Sequence, residues 1–256
     1  MLKNKILNLL NDLARIAILF ERTVKSIFIK PFEVKNIIHQ MVEIGANSFP
    51  VTALTSFFTG MVLSLQAGYS SMYVFNESLY VGTIVTFSLV KELGPVLTAV
   101  VITGRIGAAI TAEIGTMKVT EQIDALYTLG TNPVKYLSVP RFVACISMIP
   151  ILTVLSDVIG VLGGFFVANL KLGIPSTVYW ADSLDYLRVN DFLHGLIKSI
   201  FFGGLLAIVS IHKGFECSGG AEGVGKSTTS SVVTILVLIL ISDYFLSALL
   251  VAFGIG

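Results

Sequence analysis

Long apolar runs separated by short polar stretches dominate the chain. The runs fall at residues 51–74, 82–107, 141–169, 192–212 and 229–253, each close to the ~20 apolar residues that a helix needs to cross a bilayer. Ahead of them, MLKNKILNLLNDLARIAILF has a different texture. Leu2, Ile6, Leu9, Leu10, Leu13, Ile16, Ala17 and Phe20 recur at helical spacing, while Lys3, Asn4, Asn8, Asn11, Asp12 and Arg15 fill the other side. Such a pattern predicts an amphipathic helix lying in the membrane surface with its apolar face down. Lys25, Lys30 and Lys35 keep this region basic, and Pro31 is expected to break it in two. The predicted fold class is an all-α polytopic membrane protein, with an interfacial region at residues 1–48 and a transmembrane domain at 49–256 made of five spans.

The polar punctuation orients these spans. YSSMYVFNESLY, after the first run, has no lysine or arginine, whereas Lys118, Lys135 and Arg141 follow the second. Basic residues favour the cytoplasmic side. The amino terminus is therefore expected inside, the carboxyl terminus outside, and an outer loop around KLGIPSTVYWADSLDYLRVND, where Asp182, Asp185 and Asp191 surround Lys171 and Arg188.

Between the second and third spans, residues 119–130 of KVTEQIDALYTLGTNP read as a short hydrophilic helix. Thr120 can cap its start, Glu121 and Asp124 suit the positive end of its dipole, Gly130 suits its stop, and Pro133 prevents continuation. Val119, Ile123 and Leu126 share a face. Acidic side chains are repelled by an anionic leaflet, so a protein partner is the better fit for the charged face.

Composition narrows the class. Hydrophobic residues make up 54% and charged residues 13%, and the mean hydropathy is +0.86, far from the roughly 25% charged content of soluble domains. No soluble catalytic domain is left over. A net charge of +1 and the absence of a basic tail exclude a nucleic-acid footprint. Cys145 and Cys217 have no metal-ligand spacing and are expected to pack as small apolar residues. His39, His194 and His212 fall in the interfacial segment and at span ends, where they read as headgroup-level polar residues. Gly104 with Ala108 and Ala112, Gly160 with Gly164, and Ser199 with Gly203 and Ala207 offer close helix approach, either within the chain or between copies of it.

Five charges stand out. Lys91 and Glu92 lie about ten residues inside the outer end of the second span, and Asp157, Lys198 and Asp243 in three other spans fall within about two turns of that level. Intramembrane charges of this kind cost a few kcal/mol on insertion scales unless compensated. They form either a set of inter-helix ion pairs that fixes packing or a pocket for an anionic headgroup. In the pocket, Lys91 or Lys198 would meet phosphate while the carboxylates hold the lysines. A proton-coupled carrier or channel using Glu92, Asp157 and Asp243 as relay groups is the competing function.

GAEGVGKSTTSSVV contains the letters of a phosphate-binding loop from Gly220 to Ser227. That loop works only between a buried strand and a helix, with a separate acidic residue for magnesium. Apolar spans flank it here, so the stretch is expected to be a polar cytoplasmic loop without nucleotide.

The segment from Glu92 to Ala144, ELGPVLTAVVITGRIGAAITAEIGTMKVTEQIDALYTLGTNPVKYLSVPRFVA, resembles the signature region of the MlaE family of permeases from ATP-binding-cassette lipid transporters. ELGP, GR, AE, GTM, VTEQIDAL, the asparagine-proline turn and the proline-arginine pair occur in order, and the glycine-rich stretch before the last span is also similar. The first fifty residues match poorly. The resemblance implies a permease homodimer that moves phospholipid between the inner membrane and a periplasmic partner and maintains outer-membrane lipid asymmetry. It also implies two copies of a cassette ATPase that binds ATP and magnesium, and a periplasmic protein with mammalian-cell-entry domains. No cofactor and no catalysis are expected in this chain itself. The EQIDAL segment resembles the coupling helix that docks on the cassette, with Thr120, Glu121, Gln122, Ile123 and Asp124 as contact candidates. Lys91 and Glu92 match a basic-acidic pair beside the lipid cavity, with lysine where arginine is common, which weakens a bidentate grip.

Overall fold

A computed structural model describes residues 2–30, 33–75 and 80–255. Its elements are α1 (Leu2–Ile27), α2 (Val34–Met41), α3 (Phe49–Phe75), α4 (Val81–Val119), α5 (Gln122–Thr128), α6 (Val134–Leu170), α7 (Ser176–Asp185), α8 (Val189–Phe215) and α9 (Gly220–Ala252). Among the described residues, five segments are long and apolar enough to cross a membrane, at Val34–Tyr73, Val81–Val119, Val134–Leu170, Val189–Phe215 and Gly220–Ala252. No strand occurs among the described residues. The helices outrun the apolar runs that predict them. Hydropathy reports only the part that lipid can cover, whereas backbone hydrogen bonding carries a helix on into polar sequence. The break assigned to Pro31 lies outside the described residues.

The chain divides into two compact units, one of Met1–Ala46, Ile102–Met148 and Phe202–Leu238, the other of Asn47–Val101, Ile149–Phe201 and Ile239–Gly256. In the first unit α1 is more than a surface helix, for it packs against the start of α6 at Val134–Ser138. Leu19, Thr23 and Ser26 are buried along one side of α1, and Phe20 meets Phe142 edge-on at 5.8 Å. Leu13, Ala17, Ile18 and Phe20 stay exposed, which keeps an apolar face for lipid. Two widened π turns face each other in the same unit. Arg105, in Thr103–Gly107, reaches Glu43, in Val42–Ala46, with 3.3 Å to its carboxylate and 3.4 Å to its carbonyl. A polar knot lies deeper, where the buried Thr111 hydroxyl is 2.8 Å from Ser231 Oγ and 3.2 Å from the Ser210 carbonyl.

The second unit is built on glycines and aromatics. A Cβ on Gly60 would collide with the carbonyl of Gly160, and one on Gly163 with that of Phe57, so α3 and α6 meet backbone to backbone. The stretch expected as an outer loop contains α7. The turn into it runs through Gly173 at φ +68, and the Asn169 amide donates to Ile174 O. Tyr179 on α7 is fully buried, with its hydroxyl on Val161 O at 3.0 Å and its ring 5.6 Å from Phe165. Thr83 Oγ1 donates to Asp182 O at 2.8 Å, joining α7 to the first turn of α4. Burying this tyrosine is what makes a helix of a segment too short to span.

The small residues sort by place. Gly160 and Gly164 pack inside the second unit, and Gly203 packs against the Cys145 carbonyl inside the first. Nothing lies within 4 Å of where a Gly104 Cβ would be. Gly60→Val should therefore cost about 1–3 kcal/mol by overpacking, seen as a lower melting temperature in detergent, whereas Gly104→Ala should leave it unchanged or slightly raised.

Candidate functional site

Pro95 sets the geometry of the second unit's polar cluster. It sits in α4 just after a π turn at Leu89–Leu93, in which the Gly94 N–H bonds Leu89 O. A proline ring carries no N–H, so the carbonyls one turn earlier lose their helical donor. Helix α8 answers them. Gly195 lets it approach so closely that a Cβ there would strike the Val90 carbonyl. One turn further on, Lys198 Nζ donates to Lys91 O at 3.3 Å.

The same ammonium is the hub of the charges. Lys198 Nζ lies 2.5 Å from Glu92 Oε2 and 2.9 Å from Asp243 Oδ1, and its side chain is 0% exposed against 45% for Glu92. The Asp243 oxygen sits off the line of a hydrogen bond, so it acts as an electrostatic partner. Ser247, one turn along α9 from Asp243, donates to Glu92 Oε1 at 3.1 Å. Burying the Lys198 charge would cost several kcal/mol, and two carboxylates with a carbonyl offset it.

Lys91 turns to another partner. Its ammonium lies 2.7 Å from Asp191 Oδ1 and 5.0 Å from the centroid of the Phe87 ring. Asp191 also accepts the Arg188 N–H at 2.8 Å and so caps the start of α8. His194 is buried, with Nδ1 2.7 Å from Ile255 O. A carbonyl only accepts, so the proton is on Nδ1, leaving Nε2 3.9 Å from Glu92 Oε1. The turn that brings Ile255 there is a helix stop at Gly254, φ +75, with Ile255 N on Leu250 O at 2.9 Å.

Of the five sequence candidates, Glu92, Lys198 and Asp243 meet directly. Lys91 belongs to the same group through its carbonyl and through Asp191. Asp157 stands apart on α6. It is buried against Gly94, its Oδ1 has no hydrogen-bond partner, and it forms no ion pair among the described residues. Asp191, His194 and Ser247 are the members that the sequence reading did not include. Asp191, His194 and Lys198 share one face of a helix, and Ser247 follows Asp243 at four residues, so helical spacing carried the signal. His194 and His212 are buried within the protein. His212 Nε2 is 3.2 Å from Glu216 in the first unit.

The hydrophilic helix between the second and third spans is α5, in the first unit. Thr120 does not cap it. Its hydroxyl turns back to Thr116 O at 2.8 Å and closes α4. Glu121 makes the corner instead, at φ 59 in the left-handed region, where a non-glycine residue is strained. Gln122 Nε2 donates to Thr120 Oγ1 at 3.0 Å, and both Asp124 oxygens lie 3.2 Å from Lys118 Nζ. Ile123 is 3% exposed and anchors the helix, while Glu121, Gln122 and Asp124 are exposed. Gly130, at φ +73, stops it through bonds from Gly130 N to Tyr127 O and from Thr131 N to Leu126 O. The result is a short rigid knob, pinned by one apolar side chain and presenting carboxylates.

The phosphate-loop letters are wound into a helix. Gly220 to Ser227 form the first turns of α9, not a loop, and Lys226 pairs with Glu222 at 2.6 Å on the exposed surface. A helix ties up the amides that a phosphate cradle must present. Both cysteines are free and buried, as packing residues would be.

The profile of the family described as Permease MlaE matches residues 37–249. A protein of Rickettsia typhi described as a probable ABC transporter permease is 46% identical over 227 residues, 89% of this chain and 87% of its own length. Proteins with the same description in Synechocystis and in Pyropia yezoensis are 44% and 42% identical, over 84% and 83% of this chain and 82% and 80% of their own lengths. With the helices, the buried charges and the acidic knob in place, these matches show that the chain belongs to the MlaE family of ABC transporter permeases.

Proposed function

We propose that this chain is the membrane subunit of an ATP-driven phospholipid transporter. It works as a homodimer in the inner membrane, with its amino terminus in the cytoplasm and its carboxyl terminus in the periplasm. Two cassette subunits supply ATP and magnesium, and a periplasmic mammalian-cell-entry protein exchanges lipid with the outer face, which preserves outer-membrane asymmetry. The observation that carries the reading is the charge cluster on α4, α8 and α9. Lys198 is sealed, but Glu92 is nearly half exposed and Lys91 about a quarter exposed, so the cluster offers one carboxylate and one ammonium to a ligand.

Those two groups suit a phospholipid headgroup. Lys91 meets the phosphate after exchanging its Asp191 contact, and Glu92 meets an amine where the headgroup has one. Lys198 is a positioning residue. It fixes Glu92 and the Lys91 carbonyl one turn before Pro95, so the exposed groups stay aimed without a headgroup present. No nucleophile with a base and an orienting acid accompanies them, and the chemistry is binding and release. The cassettes act on the knob. Its exposed Glu121, Gln122 and Asp124 engage a cassette, and Ile123 transmits the displacement to the helices that hold it.

Three outcomes test this. Lys198→Met should destabilise the protein by about 1–3 kcal/mol, because it leaves the Lys91 carbonyl without its donor and the partly buried Asp243 without its cation, and adding Glu92→Gln and Asp243→Asn should recover part of that loss in a detergent melting curve. Lys91→Met with Asp191→Asn should keep the fold yet lower copurifying phospholipid severalfold, and unchanged lipid content would reduce the cluster to a packing device. Glu121→Lys, with no ion pair of its own among the described residues, should leave stability alone and cut nucleotide-dependent lipid transfer at least tenfold in proteoliposomes with the cassette. Transfer without nucleotide would indicate a proton-coupled carrier instead.

A further inference from the structure

A groove of about 550 Å³ opens in the first unit between the end of α1 and the chain that leaves α5. Arg22, Lys25 and Ser26 line one wall, and Tyr127, Thr131 and Asn132 the other. Among the described residues its lining contains no carboxylate. Lys25 is held by Glu21 at 2.5 Å, and Arg22 makes no ion pair among the described residues. Asn132 spends its side-chain oxygen on the Val134 N–H at 3.0 Å, which leaves its NH₂ to donate. Two cations, hydroxyls and an amide donor around an open groove are the chemistry of a phosphate site.

The surroundings point to the source of that phosphate. Leu13, Ile18 and Phe20 on α1 are exposed, and Phe28 and Ile29 just beyond it are exposed too. The helix that carries Arg22 and Lys25 therefore also carries the side chains that dip into a bilayer surface, which brings the groove to headgroup level. We propose that this groove holds the phosphate of an anionic phospholipid as a fixed ligand that ties α1 to the segment after α5. The lipid is a resident, not cargo, and the site shares no residue with the charge cluster on α4, α8 and α9. Because the groove runs along Tyr127, Thr131 and Asn132, its occupancy stiffens the base of the acidic knob, and the anionic lipid content of the membrane becomes an input to the knob's motion.

The full-length chain in nanodiscs of phosphatidylcholine doped with phosphatidylglycerol tests this, with retained lipid counted by native mass spectrometry. Wild type should retain phosphatidylglycerol that Arg22→Gln with Lys25→Gln binds about thirty-fold more weakly. Arg22→Lys should fall between them, and Lys30→Gln should behave as wild type. The Lys91→Met, Asp191→Asn protein should keep this lipid, which separates the groove from the cargo reading. Equal retention in wild type and the double glutamine variant would overturn the site. Displacement of the lipid by excess inorganic phosphate would make the soluble ion the ligand. If the double variant lost a copurifying protein and kept its lipid, the groove would belong to an acidic protein partner.

Discussion

A carbonyl that has lost its helical donor must find another one wherever water is excluded, and in this protein that need brings a charge into the bundle. Pro95 removes the donor from α4, and Lys198 supplies it from α8. The ammonium cannot stay alone there. Glu92 comes with it from α4 and Asp243 from α9, and Ser247 donates to Glu92 at 3.1 Å. The start of α6, in the first unit, also has a π turn at Val134–Ser138 followed by a proline, Pro140, and there Arg141 donates to Leu137 O at 3.0 Å while pairing with Glu113 at 2.8 Å.

That origin explains why the cluster is both structural and accessible. The buried lysine and its carbonyl partner fix the backbone of α4, and Glu92 stays nearly half exposed beside them. Full enclosure would strengthen the Coulomb attraction while desolvating a second charge. Glu92 instead remains open while its partner is sealed. The knob at α5 follows similar logic with apolar means: one buried isoleucine holds it, and the polar side chains around it stay exposed.

Much of this was legible in the sequence. Five apolar runs gave five spans, because lipid thickness imposes a length that shows in composition. Gly130 and Pro133 marked the end of α5, because a left-handed stop and a missing amide are properties of single residues. Other features depended on pairing. Thr120 looked like a cap but serves the preceding helix, and the strained corner fell to Glu121, whose backbone angle no composition rule reports. Helix α7 was hidden because its buried anchor, Tyr179, is worth a helix only against α4 and α6. Lys198 and Lys91 read alike in the sequence, yet one is sealed and one is not. Asp157, placed with them by depth, faces a glycine on another side of the bundle.

The opening turns of α9 show how little eight letters mean without their setting, and they have a mechanical consequence. Gly220, Gly223 and Gly225 are poor helix formers, steadied on the outside by one exposed ion pair between Glu222 and Lys226, ahead of an apolar stretch with Ile235 and Ile239 fully buried. Helix α9 therefore begins at its softest point. Under heat or tension it frays from that end inward, unwinding its glycines while its greasy length stays seated.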